Sequence, residues 1–472
     1  MYNLAIGGDQ MKNELARILK IELKNFKNIK NGEIEFMSYK NENFFSQESD
    51  IIGIYGQNGS GKTALIEALW ILKYTILGES LPDDSKEYIY QGEEEAVIKV
   101  VFGLKLREKN YQIFYEMAIK KQGDNSTVIS REDLSYKKLE NESWSYKRGI
   151  ISHNIEDKEN ILSPQQNYNL LTSGNKEKKV DVKVAKELAK KEETSFIFSQ
   201  EMLKIYKDIE EFKEFTDIIL SLQYYTRLNL FVIRNSRSGM INANLMIPLC
   251  FQVSDSTKIE GGDLVIALSE PTKVPESELI TVKNVIEHLN VVLKEIIPDL
   301  KIKMKEYGEE LNDKGNKVIK IELLAERKDI TIPLRYESDG IKKIISILSA
   351  MIAMFNKPTI CLAVDELDAG IFEYLLGEIL EIIQNRAKGQ LIFTSHNLRP
   401  LEKLKKDSLI FTTTNPKNRY IRFSNVKTTN NLRNFYYRGI KLGGQNEEIY
   451  ERTNEHKIAR AFKVAGRVDS ID

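Results

Sequence analysis

The run Gly56-Gln57-Asn58-Gly59-Ser60-Gly61-Lys62-Thr63 packs three glycines, a lysine and two hydroxyls into eight residues, the spacing G-x-x-x-x-G-K-[ST]. Glycine tolerates positive φ, so successive backbone N–H groups of such a run can turn toward one anion. The lysine then offers a point charge to terminal phosphates, and the threonine hydroxyl suits Mg²⁺. Gly56, Asn58, Gly59, Ser60, Gly61, Lys62, Thr63 and the adjoining Ala64 are therefore candidate contacts to a nucleoside triphosphate such as ATP. Far along the chain, the apolar run Thr359–Val364 ends in Asp365-Glu366. Such a pair can divide two tasks, Asp365 binding Mg²⁺ through water and Glu366 taking a proton from an attacking water. A second apolar run, Gln390–Thr394, leads to Ser395-His396, 31 residues after Asp365. A side chain at that edge can reach a γ-phosphate or the attacking water. His153, His288 and His456 show no ligand spacing and read as surface or packing residues.

These residues need particular elements to hold them. Asp50–Tyr55 has a buried-strand pattern, and Ala64–Leu72 an apolar helical one, so the glycine-rich run sits in the strand–turn–helix context that its chemistry requires. Residues 17–36 read as two short strands around Phe26, with Asn31-Gly32 as turn residues. Residues 90–145 alternate apolar and polar residues and predict an antiparallel meander. Residues 150–178 are polar and Asn-rich, a predicted loop or mobile insert, and 178–235 are helical in pattern. Residues 246–336 mix strands with a helix near 278–297. After Asp339 the order becomes helix, strand, helix, strand over 340–355, 359–364, 369–387 and 390–394, the alternation of a parallel α/β sheet.

Composition sets the outer bounds. In 472 residues, 69 Lys/Arg balance 69 Asp/Glu, so net charge gives no sign of wholesale attraction to nucleic acid or membrane. Two distant cysteines, Cys250 and Cys361, exclude a disulfide scaffold and fit a reducing, cytoplasmic location. The longest nearly apolar run, Ile344–Phe355, has 12 residues and two serines, too short to span a bilayer. Charge is nonetheless uneven. From Lys417 onward there are twelve Lys/Arg against six Asp/Glu, interleaved with Tyr420, Phe423, Phe435, Tyr436 and Tyr437. A solvated basic tail and a nucleic-acid surface are both open readings there. Lys176–Lys191 holds seven lysines against three acids and reads as a solvated helix face, with nucleic-acid contact as the minority view.

Glu337-Ser338-Asp339-Gly340-Ile341-Lys342-Lys343 opens the apolar Ile344–Phe355 helix, with Ser338 lying 27 residues before Asp365. An ordinary N-cap accounts for Ser338 locally. In this order of motifs, however, the chain resembles the ATP-binding-cassette ATPases of the RecF/SMC type. The resemblance implies that Ser338 and Gly340 of one copy bind the γ-phosphate held by another, with Asp339 standing where the transporter form has glycine. It covers about 17–413, and it implies an α/β fold: an ABC head with a mixed or parallel core sheet, an antiparallel β subdomain and a helical insert lobe. The opening "LKNFKNI" is similar to the start of such heads, which makes Lys27 a candidate phosphate contact and leaves Phe26 to the core.

Within that branch, "DELDAGIFEYLLGEIL", "GQLIFTSHN" and "NLRNFYYRGIKLGG" resemble the ATPase part of the OLD-like family, common in phage-defence and toxin-type operons. This implies Mg-ATP hydrolysis, a homodimer closed by an ATP sandwich, a separately encoded nuclease or toxin effector, and no membrane partner. A DNA-binding repair ATPase is the alternative. No Toprim-like nuclease strands follow the last sheet strand, and the insert is too short for an SMC coiled-coil arm. Gln200 is the candidate for the glutamine that senses Mg²⁺ in this family, and Asp368 falls where the family's dimer-contacting loop lies. The expected organisation is a leader (1–16), an N-terminal ATPase lobe (17–150), a helical insert (151–245), a β/α part (246–336), a signature-to-histidine core (337–413) and a basic tail (414–472).

Overall fold

A computed structural model describes residues 15–40, 44, 48–123, 126–254, 259–312, 314–328, 330–423, 431–442 and 447–465. The fold is mixed α/β around two large sheets. One has six strands, in the order Tyr420–Ile421, Leu409–Thr412, Asp50–Tyr55, Gln390–Thr394, Cys361–Val364, Leu230–Ile233. All neighbours in it run parallel except the first pair. Its strands are short and apolar because both faces are covered. In Asp50–Tyr55, Ile52 and Ile54 enter one core, while Ile51 and Tyr55 enter the other. The same period of two sends Ala363 one way and Leu362 and Val364 the other.

The second large sheet is antiparallel and forms the predicted meander. Its long strands are Leu15–Phe26, Glu95–Leu106, Lys109–Gln122 and Ser126–Glu140, with Ile29–Glu35 and Arg148–Asn154 on the flanks. Gln390 ties the two sheets together: its amide accepts from Ile18 N (2.9 Å) and donates to Ile18 O (2.7 Å). Arg17, fully buried beside this joint, stands 3.7 Å from Asp50. Helices Lys62–Leu77 and Lys213–Leu228 pack together inside the same core, and Asp339–Asn356 and Glu373–Arg386 cover the other face of the parallel sheet.

The fold corrects two local expectations. The turn after Phe26 is at Lys27-Asn28, with Lys27 at φ +52°, while Asn31-Gly32 lies inside the following strand. Gly32 is needed there because a Cβ would come within 2.7 Å of the Tyr420 ring. The polar stretch 150–178 is not one loop. It contains most of the Arg148–Asn154 strand and the helix Gln165–Thr172, whose Asn167 donates to Ile150 O at 2.8 Å. Of the predicted leader, residues 1–14 lie outside the described residues, and the first strand begins at Leu15.

A buried carboxylate joins the meander to the helices. Glu132 accepts from Tyr115 OH (2.6 Å), Ser195 Oγ (2.5 Å) and Phe196 N (2.8 Å), and pairs with His153 Nε2 (3.0 Å). Burial opposes its ionisation, but the His153, Ser195 and Tyr115 contacts outweigh burial and hold it below the ordinary glutamate value. Because the folded value is depressed, the stabilisation is complete above the unfolded value of about 4.3 and is lost as pH falls through the folded one. Glu132→Ala is expected to lower unfolding free energy by about 3 kcal/mol at neutral pH, since the donors stay buried and unpaired. Denaturant titrations of both proteins at a series of pH values check this: the difference should be flat at neutral pH and shrink in acid.

Candidate active site

The phosphate loop hangs between the buried Asp50–Tyr55 strand and the Lys62–Leu77 helix. Gly61 caps that helix at φ +93°, which a side chain would resist. Gly56 is required by close approach: a Cβ would lie 1.7 Å from Thr412 Oγ1. The loop is braced from below, where Ser60 Oγ meets Gln57 O and Thr412 Oγ1, both at 2.5 Å. Tyr420 OH donates to Gly61 O at 2.8 Å, and Arg419 Nη2 to Asn28 O at 2.6 Å. Asn28 Nδ2 in turn donates to Gly59 O.

The expected basic tail therefore begins as part of the loop's support. Tyr420 and Tyr436 are buried, and Phe423 stacks on Phe411 with centroids 3.7 Å apart. Tyr420, Phe423 and Tyr436 are thus packing residues, while Tyr437 is exposed. The seven lysines of Lys176–Lys191 do lie on a helix, but Lys186 is buried and donates to Asp157 O at 2.6 Å.

A cavity of about 790 Å³ opens over the loop, lined by Lys27, Asn58, Gly59, Gly61, Lys62, Thr63 and Ala64 and, from across the sheet, by Glu366, Thr394 and His396. Lys62 is 7% exposed and donates to Gly56 O (2.9 Å) and Gln57 O (3.1 Å). Burial lowers its proton affinity, against the pull of Asp365, Glu366 and Asp368. Lys27 lies at the wall, with its ammonium 2.5 Å from Glu67 and over the Tyr88 ring. Burial raises the Glu67 carboxyl above its ordinary value, with Lys27 opposing.

Thr63 and Asp365, 302 positions apart, meet here: Thr63 Oγ1 donates to Asp365 Oδ1 at 3.2 Å. Thr394 Oγ1 also donates to that oxygen (2.6 Å) and accepts from Glu366 N (2.7 Å). Asp365 is 2% exposed, and its Oδ2 is buried without a hydrogen-bond partner among the described residues. An orphaned carboxylate oxygen beside a threonine hydroxyl fits Mg²⁺, which takes one or two carboxylates and completes its shell with phosphate and water. Among the described residues no group of three or more His, Cys, Asp or Glu could hold a metal by protein ligands alone. Asp368 Oδ2 accepts from His396 N (3.1 Å) and Asn397 N (2.9 Å), so it ties the turn after the acidic pair to the exposed histidine.

Three sequence candidates lie away from this cavity. Ser338 caps the Asp339–Asn356 helix, is exposed, and accepts from Ile341 N at 3.4 Å. Gly340 packs against Gly370, where a Cβ would be 1.9 Å from the Gly370 carbonyl. Gln200 begins the helix Gln200–Lys207, just after Phe198, whose carbonyl abuts Gly78 at the C-terminal cap of the phosphate-loop helix. That helix has 16 residues, a length of roughly 24 Å, so Gln200 is at the wrong end of it to sense the metal. Gln91 lines the cavity instead. Sequence reasoning missed Thr394, Asn28, Tyr420 and Lys343, whose ammonium donates to Glu366 O. A hydroxyl one residue before Ser395-His396, at the end of an apolar strand, was the available signal for Thr394.

A parallel sheet with a phosphate loop on one strand and an acidic pair at the end of the next strand but one, with Gln390–Thr394 between them, defines an α/β nucleotide-binding ATPase core. The family profile described as "AAA ATPase domain" matches residues 17–399, and the chain belongs to that family. Comparison with curated proteins returns no match. Among solved structures, the chain is similar to an Smc head crystallised with the C-terminal winged-helix domain of ScpA (15% identity, 86% of this chain and 98% of that chain, TM-score 0.40). It is similar as well to the SMC head domain from Thermotoga maritima (15%, 86% and 99%, TM-score 0.36). A structure of the recombination mediator RecF with ATP also matches (13%, 81% and 94%, TM-score 0.35). No helix among the described residues is long and apolar enough to cross a membrane.

Proposed function

We propose that the chain binds Mg-ATP on the Gly56–Thr63 loop and hydrolyses it in a two-copy assembly, in which Ser338 and Gly340 of each copy close the site of the other. The observation that carries the reading is the Asp365 Oδ2, buried with no hydrogen-bond partner among the described residues, directly behind Thr63, which lines a cavity that also receives Glu366 and His396. Thr63 and Asp365 would hold Mg²⁺, which when bound neutralises charge on the β- and γ-phosphates. Glu366 accepts the proton of a water attacking the γ-phosphorus in line. The bond from that phosphorus to the bridging oxygen breaks, and its electron pair leaves with ADP. Lys62 and His396 offset charge on the γ-phosphate oxygens.

The exposed N-terminus of the Asp339–Asn356 helix supports the two-copy part. A helix N-terminus carries partial positive charge suited to an anion, and the residues of this one do not line their own chain's cavity. Turnover is expected to rise more steeply than linearly with protein concentration. Ser338→Arg should lower it at least ~10-fold, as losing one transition-state donor does, with ATP affinity of the single chain retained. Mixing Ser338→Arg with Lys62→Ala chains should restore part of the turnover, since one composite site is then intact. Linear concentration dependence with no effect of Ser338→Arg would overturn the assembly.

We propose further that the closed state holds or releases a separately encoded effector, a nuclease or toxin, in phage defence or a toxin–antitoxin-like system. The similarity of the 365–397 segment to OLD-like ATPases supports this. The helix Glu455–Ala465 favours the repair alternative, because Lys457, Arg460 and Lys463 are all exposed on it. Strong, salt-sensitive stimulation by duplex ends or gaps would decide for DNA handling. Co-purification of a small effector with little response to DNA would decide for the scaffold.

A further inference from the structure

The Asp339–Asn356 helix buries two successive lysines at the start of its apolar run: Lys342, which pairs with Asp339 and Asn244, and Lys343. Lys343 is 5% exposed, flanked by the core residues Ile344 and Ile347, and lies five residues from the Ser338 cap. Its ammonium donates to the backbone carbonyl of Glu366 and faces the charges of Asp368, Glu366 and Asp365. A buried ammonium is costly, and a methionine would fill this volume without that cost.

What it holds is a strained residue. Glu366 has φ +48°, a region that non-glycine residues enter only when surrounding contacts over-determine it. Its N–H is fixed on Thr394 Oγ1 at 2.7 Å, and its C=O on Lys343. The peptide groups on both sides of the Glu366 side chain are thereby pinned. The same helix touches this turn a second time, where Gly340 packs on Gly370. One rigid helix thus runs from an exposed serine cap to the backbone of the acidic turn.

We infer that Lys343 is a positioning residue that transmits engagement of the Ser338 end of its helix to the Glu366 carboxylate. A small shift of the helix, made when a second copy's triphosphate docks on the cap, moves the carbonyl that Lys343 holds and turns the carboxylate toward its water. The inference rests on the two-copy reading above and adds a residue that touches neither nucleotide.

The test uses the full chain with Mg-ATP, measuring kcat, KM and ATP-driven dimerisation by sedimentation. Lys343→Met should lower kcat ~100-fold, the scale on which misplacing a reacting group by about 1 Å acts, with KM and dimerisation within about threefold. Lys343→Arg, which keeps a donor, should regain about tenfold of that loss. A purely structural role predicts instead that turnover and dimerisation fall together, and that result overturns the inference. So does Lys343→Met turnover within about threefold of the parent. Should Lys343→Met not fold, Lys343→Gln, with a shorter donor, carries the same test with an expected tenfold fall in kcat. A parent that turns over only in proportion to its concentration sinks the two-copy reading and this inference together; a cooperative parent with an indifferent Lys343 sinks only the inference.

Discussion

Glu366→Gln is expected to retain ATP binding and lose ~10²- to 10⁴-fold in turnover, the range that a positioned general base supplies. The substitution keeps side-chain length and leaves both backbone anchors in place, because Thr394 and Lys343 hold the peptide and not the carboxylate. The amide cannot accept the proton of the attacking water, so bond breaking stalls while the phosphate contacts persist. An assembly that opens after hydrolysis should then stay closed, and the variant should sediment as a stable ATP-bound dimer. Single-turnover measurements with labelled ATP, with sedimentation at matched concentrations, check both parts. Parental turnover in this variant would remove Glu366 from the base role.

Lys62→Ala is expected to weaken ATP binding at least 100-fold, about 2.8 kcal/mol at 1.4 kcal/mol per decade. Two effects combine. The ammonium holds the carbonyls of Gly56 and Gln57, so its loss relaxes the loop before any nucleotide arrives. It is also a cation facing Asp365, Glu366 and Asp368, and without it an incoming triphosphate meets those carboxylates less compensated. Lys62→Arg should rescue little, because a planar guanidinium cannot replace a compact ammonium in so enclosed a position. Calorimetric titration with Mg-ATP is the measurement, and affinity within about threefold of the parent would rule out a phosphate role for this residue.

What the two substitutions probe was legible in the chain to different degrees. The Gly56–Thr63 loop and the Asp365-Glu366 strand end could be read directly, because a phosphate turn needs its glycines and lysine at fixed local spacing, and a strand buried on both faces must be uniformly apolar. The alternation of helix and strand after Asp339 announced the parallel sheet for the same local reason. Gln200 went astray because spacing cannot tell which end of the Lys62–Leu77 helix a later segment will meet. The C-terminal aromatics left two readings open for another reason. Composition alone does not distinguish a ring that stacks on a base from one that stacks on Phe411.

By itself, then, the sequence pointed to the phosphate-loop and acidic-pair motifs and to the order of the elements, since both depend on residues within a few positions of one another. Only the tertiary structure decided which distant groups complete the site: Thr394 between Asp365 and Glu366, Lys343 on the Glu366 carbonyl, Tyr420 and Thr412 beneath the phosphate loop. Those contacts join residues as far as 359 positions apart, and any hydroxyl or lysine along the chain has the same local signature. Their partners are chosen by which strands lie side by side, and that is set by the burial of whole faces and not by any single motif.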